Sequence, residues 1–218
     1  MTFGRNTDSR WWGLPTLFLV WAFLPVSAPM SVAQTLPQTQ TDRAGGSQGW
    51  TVERLIESLS KSLQSEVRYE ETSFSTLLTK PLKTRGVLRV TPPATLEKHV
   101  TAPYVERYVV EGDTVFFTSK TKDVHRTLSL QDYPGLRAFV EAFRSFLSND
   151  VVTLKRGYDV TLQGEPRRWT LILRPQDKDA QELVEAIRFS GEGEQLKGIE
   201  ILAPDGDRSV MVLTTGAP

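Results

Sequence analysis

The 218-residue chain contains no cysteine and only two histidines. Without cysteine there is no disulfide, no thiolate nucleophile and no cysteine-ligated metal. A lipoprotein anchor is also excluded, because its lipid is attached to an N-terminal cysteine. Basic and acidic residues both number 26, so the formal net charge is zero. Since binding to nucleic acid needs a basic surface that displaces counterions from phosphates, we expect no nucleic-acid partner.

The N-terminus has the pattern of a secretory signal peptide. Arg5 and Arg10 form a basic start, and residues 14–26 (LPTLFLVWAFLPV) form an apolar segment. Small residues then precede a predicted cleavage site between Ala33 and Gln34. An uncleaved membrane anchor is the alternative, but the apolar segment is shorter than the roughly 20 residues that a spanning helix needs. The pattern therefore predicts an exported, periplasmic protein.

Composition divides the chain into three parts. Residues 1–33 are the predicted signal peptide. Residues 34–49 are rich in Gln, Thr and Gly and nearly free of apolar side chains, which predicts a flexible leader. Residues 50–218 are then expected to form one folded domain with a sizeable core.

Two segments have the apolar spacing of amphipathic helices. Thr51 is a candidate N-cap for the first, whose apolar positions are 52, 55, 56, 59 and 63. In the second, Asp132 is the candidate cap, Pro134 suits the first turn and Asn149 suits the end. The second helix carries a broader and more aromatic stripe, made of Leu136, Phe139, Val140, Phe143, Phe146 and Leu147.

Short segments rich in β-branched and aromatic residues surround the second helix, with Gly, Pro and Asp turn signals between them. Six predicted strands precede it, at 66–78, 84–91, 95–101, 104–110, 114–119 and 123–130. Five follow it, at 158–163, 169–174, 183–190, 197–202 and 209–214. Strands and helices do not alternate, so the sheet should be antiparallel. The predicted fold is mainly β with α (α+β): a single strongly curved antiparallel sheet, an open β-barrel of about eleven strands with helices plugging its concave face.

Motifs that would support catalysis or metal binding are weak. Neither His99 nor His125 has a recognisable partner for a catalytic triad. The GEG sequence at 191–193 stands between strands rather than before a helix, so it indicates a hairpin and not a dinucleotide site. The DGD sequence at 205–207 lacks the further spaced acids of a calcium loop and is typical of a hairpin turn. We therefore predict neither enzymatic activity nor a cofactor.

Residues 74–93 (FSTLLTKPLKTRGVLRVTPP) resemble the LolA-like lipoprotein carriers, which place a strand, a connection, a Gly-x-Leu sequence and a Pro-bearing turn in this region. The likeness continues through 101–103 and 111–117, and more loosely through 169–175 to 205–211. It implies an open β-barrel with a helical lid, a periplasmic location and no enzymatic activity. It also implies a cargo of lipoprotein acyl chains, an inner-membrane donor and an outer-membrane acceptor.

The chain departs from the family pattern at three places. Pro92-Pro93 stands where the carriers typically have Arg-Pro, and Lys98 stands where they tend to have an aromatic residue. The chain stops at Pro218, without the C-terminal extension common in the lipoprotein carrier. We therefore expect a divergent LolA-related monomer that carries a lipoprotein or another lipid, such as a glycolipid. A non-catalytic envelope module that binds a protein partner without lipid is the alternative.

The predicted lipid-binding residues are inward-facing strand positions and the stripe of the second helix. They are Leu88, Val90, Leu96, Lys98, Val100, Phe117, Leu136, Phe139, Val140, Phe143, Phe146, Leu171 and Leu173. Alternation places Lys98 on one face with Leu96 and Val100. A lysine there needs a partner such as Glu71, Glu106 or an anionic group of the cargo. Alternatively, its long stem extends along the apolar surface to the rim and leaves the charge in water.

Overall fold

The computed structural model describes residues 49–62, 66–91 and 95–214. The first helix and the strands that follow it are α1 (Val52–Ser62), β1 (Glu66–Phe74), β2 (Leu82–Thr91), β3 (Thr95–Ala102), β4 (Glu106–Glu111), β5 (Thr114–Ser119) and β6 (Val124–Ser129). A short 3-10 helix (Leu130–Asp132) then leads to α2 (Pro134–Leu147) and α3 (Val151–Gly157). The remaining elements are β7 (Tyr158–Glu165), β8 (Arg168–Pro175), α4 (Lys178–Gln181), β9 (Ala186–Glu192), β10 (Gln195–Leu202) and β11 (Arg208–Thr214).

All eleven strands belong to one sheet in the order β6-β5-β4-β3-β2-β1-β11-β10-β9-β8-β7. Every neighbouring pair is antiparallel, and the first and last strands of the chain meet in the middle through β1 and β11. Among the described strands the two edges, β6 and β7, do not pair with each other, so the sheet is not closed. The predicted fold class, an open antiparallel sheet of about eleven strands with helices, is confirmed.

The helices pack on one face of the sheet, here called the inner face. Strand alternation produces this face, because every second side chain points the same way. On α1, Leu55 and Ile56 are fully buried, and on α2, Phe146 is fully buried. These side chains share one hydrophobic core with alternate strand residues such as Leu171 and Phe189. The core therefore lies between the helices and the inner face.

Gly86 marks an irregularity in the sheet. The pairing of β2 with β3 shifts register between Arg85 and Gly86, as a β-bulge does. A Cβ on Gly86 would lie 1.9 Å from the backbone oxygen of His99, so only glycine permits this close approach. Gly86 also lies directly opposite Tyr69 of β1. The bulge therefore bends the sheet beside the strands that carry Glu71 and Lys98.

The start of α2 differs from the prediction. Asp132 does not cap this helix, because it ends the preceding 3-10 helix, and Tyr133 occupies the cap position without a side-chain hydrogen bond. Pro134 lies in the first turn and Asn149, with φ of 52°, follows the last turn, as predicted. On α1, Thr51 Oγ1 accepts a hydrogen bond from the backbone N–H of Arg54 at 3.4 Å, which confirms its cap role.

Two short helices were not predicted. Side chains of Asp150 and Asp177 cap α3 and α4 by accepting hydrogen bonds from the backbone N–H groups of Thr153 and Ala180. Neither helix is long enough to display a helical period in the sequence. The predicted strand at 183–190 accordingly starts later, at Ala186, because the chain is still leaving α4.

Some sequence-based predictions lie outside the described residues. These are the signal peptide at 1–33, its cleavage site between Ala33 and Gln34, and all of the leader except Gly49. The same holds for Leu63 at the end of the first apolar stripe and for the Pro92-Pro93 turn.

Candidate functional site

A cavity of about 90 Å³ lies between α2 and the inner face of the sheet. Most of its wall is apolar, contributed by Leu88, Leu96, Tyr108, Val110, Val115, Ile199, Ile201 and Met211 of the sheet and by Gly135, Leu136 and Phe139 of α2. A polar group occupies one part of the wall: Glu71, Ser73, Lys98 and Ser209. The cavity is therefore apolar with a single polar region.

The cavity exists because the first turns of α2 present little bulk to the sheet. Gly135 has no side chain, and Leu136 and Phe139 remain only half-buried. Later in the helix the packing is tight, since the ring of Phe146 meets the edge of Phe189 with centroids 4.6 Å apart. The N-terminal part of α2 thus covers the cavity without filling it.

A second, smaller cavity of about 40 Å³ lies toward α1. Its wall includes Leu59 of α1, Phe143 of α2 and Leu213 of β11. Leu88 and Ile199 line both cavities, so these two side chains stand between them.

Lys98 and Glu71 form an ion pair in the wall of the larger cavity. The Lys98 ammonium donates to Glu71 Oε2 at 2.5 Å, and the two side chains are only 12% and 14% exposed. Glu71 also accepts hydrogen bonds from Ser209 Oγ at 2.6 Å and Thr84 Oγ1 at 3.1 Å. Burial raises the pKa of Glu71, but the charge and hydrogen bond of Lys98, with the two hydroxyls, outweigh it and hold the pKa below its ordinary value. Glu71 is therefore a stable, buried carboxylate.

A second buried carboxylate, Glu106, lies on β4, which is the neighbour of the strand β3 that carries Lys98. It accepts hydrogen bonds from the Tyr108 hydroxyl at 2.9 Å and from Ser119 Oγ at 3.5 Å. Burial raises its pKa, and the lowering effects of Tyr108, Lys122, Ser119 and Lys98 do not compensate. Burial thus raises the pKa of both carboxylates, but the net shifts are opposite, because the Lys98 ammonium contacts Glu71 directly.

Five of the predicted site residues line the larger cavity: Leu88, Leu96, Lys98, Leu136 and Phe139. Val90 and Phe143 line the smaller one. Val140, Phe146, Leu171 and Leu173 are instead packed core side chains, and Val100 and Phe117 form a separate small cluster with Tyr108. That any of them contacts lipid remains a prediction. For Lys98, the alternative of a wet charge at the rim is wrong, because its ammonium is paired inside.

The sequence reading missed much of the cavity wall, including Ser73, Tyr108, Val110, Val115, Gly135, Ile199, Ile201, Ser209 and Met211. Alternation in β11 contains the signal for two of these, because Ser209 and Met211 share a face with Leu213. In the register, Met211 pairs with both Glu71 and Ile199. Which strands become neighbours was the missing information.

Two further structural findings bear on function. Within residues 49–62, 66–91 and 95–214, no group of three or more His, Asp or Glu side chains is placed to hold a metal ion. In the same ranges, no helix has the length and apolar character needed to cross a membrane.

Comparison with known families assigns the chain. The family model described as outer membrane lipoprotein carrier protein LolA-like matches residues 44–218. This chain belongs to the LolA-like family. The predicted resemblance is thereby confirmed, and the family is one of carriers rather than enzymes. No curated protein matches the sequence.

Several solved structures are similar in fold to this LolA-like chain. A LolA superfamily protein from Nitrosomonas europaea aligns over 78% of this chain and 96% of its own, at 9% identity and a TM-score of 0.39. An uncharacterized conserved protein from Thermus thermophilus aligns over 76% and 88%, at 11% identity and a TM-score of 0.44. A putative outer-membrane lipoprotein-sorting protein domain from Vibrio parahaemolyticus aligns over 73% and 89%, at 7% identity and a TM-score of 0.38.

Proposed function

We propose that this LolA-like protein is a periplasmic carrier that holds the acyl chains of a lipoprotein or another lipid between α2 and the inner face of the sheet. Its signal peptide would deliver it to the periplasm, where it would take cargo from an inner-membrane donor and pass it to an outer-membrane acceptor. Family membership supports a carrier, and the apolar cavity supports acyl chains as the part that is held.

The cavity beneath α2 is the observation that carries the proposal. At about 90 Å³ it is well below the ~300 Å³ at the lower end of small-molecule pockets, so an acyl chain does not fit in this closed conformation. Half-buried Leu136 and Phe139 face this space, although burying them fully would stabilise the fold. Binding would move α2 outward, and the acyl chain would then complete the burial of these two side chains.

One buried hydrogen bond opposes such a movement of α2, from the Tyr158 hydroxyl of β7 to the backbone oxygen of Ala138. Other polar contacts of the helix are weaker. Arg144 at the C-terminal end donates to the backbone oxygen of Gly112, in the β4–β5 turn, at 2.5 Å. Arg137 at the other end donates to Gln131 at 2.9 Å and Asp177 at 3.3 Å, and these contacts are largely exposed. Exposed contacts of this kind contribute little stability, about 1 kcal/mol or less each. To act as a lid, the helix would therefore have to break the buried Ala138 hydrogen bond in addition to these weak contacts.

Native mass spectrometry of protein purified from its own envelope tests the proposal. We expect a chain carrying bound lipid, released on denaturation. Phe139→Ala should weaken lipid binding by about tenfold or more, because a phenylalanine loses roughly 1.5–3 kcal/mol of apolar contact when truncated. Phe116→Ala is the matched control, since Phe116 lies on the opposite face of the sheet and is 42% exposed.

Two results would count against the carrier. A protein that is lipid-free as purified and fails to take up lipid in titration would favour the alternative, an envelope module that binds a protein partner. Equal loss of lipid in the Phe139→Ala and Phe116→Ala variants would show that any binding lies outside the cavity.

A further inference from the structure

The polar region of the cavity wall has a chemistry that apolar burial alone does not explain. We propose that it binds a neutral hydrogen-bond acceptor of the cargo, such as the ester or amide carbonyl that joins an acyl chain to its carrier group, and that it selects against a free carboxylate or phosphate. This inference rests on the proposed function and names the class of lipid that the cavity takes.

Strand pairing places the polar region next to the space for an acyl chain. Lys98 lies opposite Leu88 on one side and Tyr108 on the other. Glu71 lies between Thr84 of β2 and Met211 of β11. Leu88 and Tyr108 therefore border Lys98 on its two sides, and the apolar Met211 borders Glu71 on the β11 side. A lipid whose chain fills the apolar part would bring the atoms at the head of that chain to Lys98.

Lys98 has donors to offer such a group. An ammonium carries three N–H donors, and Glu71 Oε2 accepts one of them. The ring of Tyr69 lies 5.2 Å from the nitrogen and contributes a cation–π contact. Among the described residues, the other N–H groups of Lys98 meet no acceptor. By contrast, both oxygens of Glu71 already accept hydrogen bonds, from Lys98, Thr84 and Ser209. The site therefore offers unused N–H donors on Lys98, whereas the acceptor oxygens of Glu71 are already engaged.

The charge balance decides which acceptor suits these donors. Glu71 neutralises Lys98 at contact distance, and Glu106 adds a further carboxyl group near the pair. Lys122, the other cation that acts on Glu106, is exposed. The buried group thus has no excess positive charge. An anionic headgroup would arrive without a counter-charge, and an uncompensated buried charge is strongly unfavourable. A carbonyl oxygen accepts from the ammonium without adding charge. Of the partners expected for Lys98, Glu71 is the one observed, and in this proposal the cargo supplies a neutral acceptor instead of an anionic group.

The test compares two ligands with the same acyl chain, dodecanoate and 1-dodecanoylglycerol. Each ligand displaces the neutral dye N-phenyl-1-naphthylamine from the protein at about pH 8, where the fatty acid is ionised. The wild-type protein should bind the ester about tenfold or more tightly than the anion. Glu71→Gln leaves Lys98 without its counter-charge and should shift the affinity ratio about tenfold toward dodecanoate. The control is Glu70→Gln, the exposed neighbour on the opposite face of β1, which should leave the ratio unchanged.

A double variant guards against loss of folding. Glu71→Gln with Lys98→Met removes both charges together, a change that buried ion pairs often tolerate. In this double variant the affinity for the ester should fall about tenfold, because the charged donor is gone, and the affinity for dodecanoate should not rise. A Glu71→Gln ratio equal to wild type, or a double variant that binds the ester as wild type does, would overturn this inference. Failure of the wild-type protein to bind either ligand would instead overturn the proposed carrier function.

Discussion

The two halves of the inner face are built from the same alternating pattern but are filled differently. On β8 and β9, Leu171 and Phe189 are fully buried, and Phe146 of α2 packs its ring against Phe189. On β2 and β3, Leu88 and Leu96 border a cavity, because Gly135 and Leu136 of α2 do not reach across it. One half is a packed core and the other is a core with space left in it. The difference lies partly in the helix, whose N-terminal turns leave space, and partly in the strands, since β3 presents Lys98 to that space.

The comparison teaches that one helix combines a tightly packed part with a part that leaves space, and the proposed carrier function assigns lipid binding to the second part. The C-terminal turns of α2 anchor it to the packed half through aromatic contacts. Its N-terminal turns cover the hollow half, where Gly135 has no side chain and Leu136 and Phe139 stay half-buried. Substitutions in the packed half should therefore lower the free energy of unfolding, whereas substitutions of the apolar residues around the cavity should mainly change ligand binding.

The largest effect on stability is expected in the packed half. Phe146→Ala removes a fully buried ring and should lower the free energy of unfolding by about 3–5 kcal/mol. Urea unfolding followed by circular dichroism measures this loss. Phe116→Ala, at an exposed ring, should cost about 1 kcal/mol or less. A similar cost for both variants would remove the distinction between packed and exposed aromatic side chains.

The next largest effect should come from the ion pair, and it should depend on pH. In the wild type, the pKa of Glu71 is lowered, so its stabilisation is present above the unfolded value near 4.5 and is lost as pH falls through the folded value. Lys98→Met leaves the carboxylate buried without its ammonium and should cost about 3 kcal/mol near neutral pH.

Without Lys98, burial should raise the pKa of Glu71, so that the variant takes up a proton at a higher pH than the wild type does. The stability difference between wild type and Lys98→Met should therefore shrink on acidification. Urea unfolding of both proteins near neutral pH and at about pH 5 measures this difference. A difference that is constant, or that grows on acidification, would show that the Lys98–Glu71 contact does not control this carboxylate.

Filling the hollow half should change stability little and binding strongly. Leu136→Trp would place a larger side chain at the cavity, so the change in the free energy of unfolding should stay within about 1–2 kcal/mol. Lipid affinity should fall about tenfold or more, because the ring occupies the space that the chain would take. Thermal unfolding and dye displacement measure the two effects. Unaltered lipid affinity in a folded variant would place the binding site elsewhere.

The smallest effect is expected at Glu106. Its pKa is raised by burial, so the folded state holds a proton that the unfolded state has released, and stability should fall as pH rises from the unfolded value near 4.5 through the folded value. Glu106→Gln removes this titration and should flatten the pH dependence of the free energy of unfolding in that window. An unaltered slope in the variant would indicate that another group titrates there.

Sequence patterns predicted the sheet well and the cavity only in part. Alternation within a strand is a local signal, so the inward positions of Leu88, Leu96 and Lys98 could be predicted. Whether Leu88 or Leu171 borders a space depends on what a distant helix places above it. Gly135 contributes to that outcome, because its lack of a side chain leaves space only once α2 packs on the sheet. Glu71 was named as one candidate partner of Lys98, but Ser209 joins the group through the pairing of β1 with β11, which no local pattern reveals.

Photo-crosslinking with an acylglycerol that carries a diazirine in its chain tests the central claim most directly, because it reports where the chain lies. We predict labelling of α2 at Leu136 and Phe139 and of the inner face at Ile199 and Met211, in competition with unlabelled ester. Labels on the opposite face, at exposed residues such as Phe116 and Val212, with none in the cavity wall, would contradict a carrier that holds its lipid beneath α2.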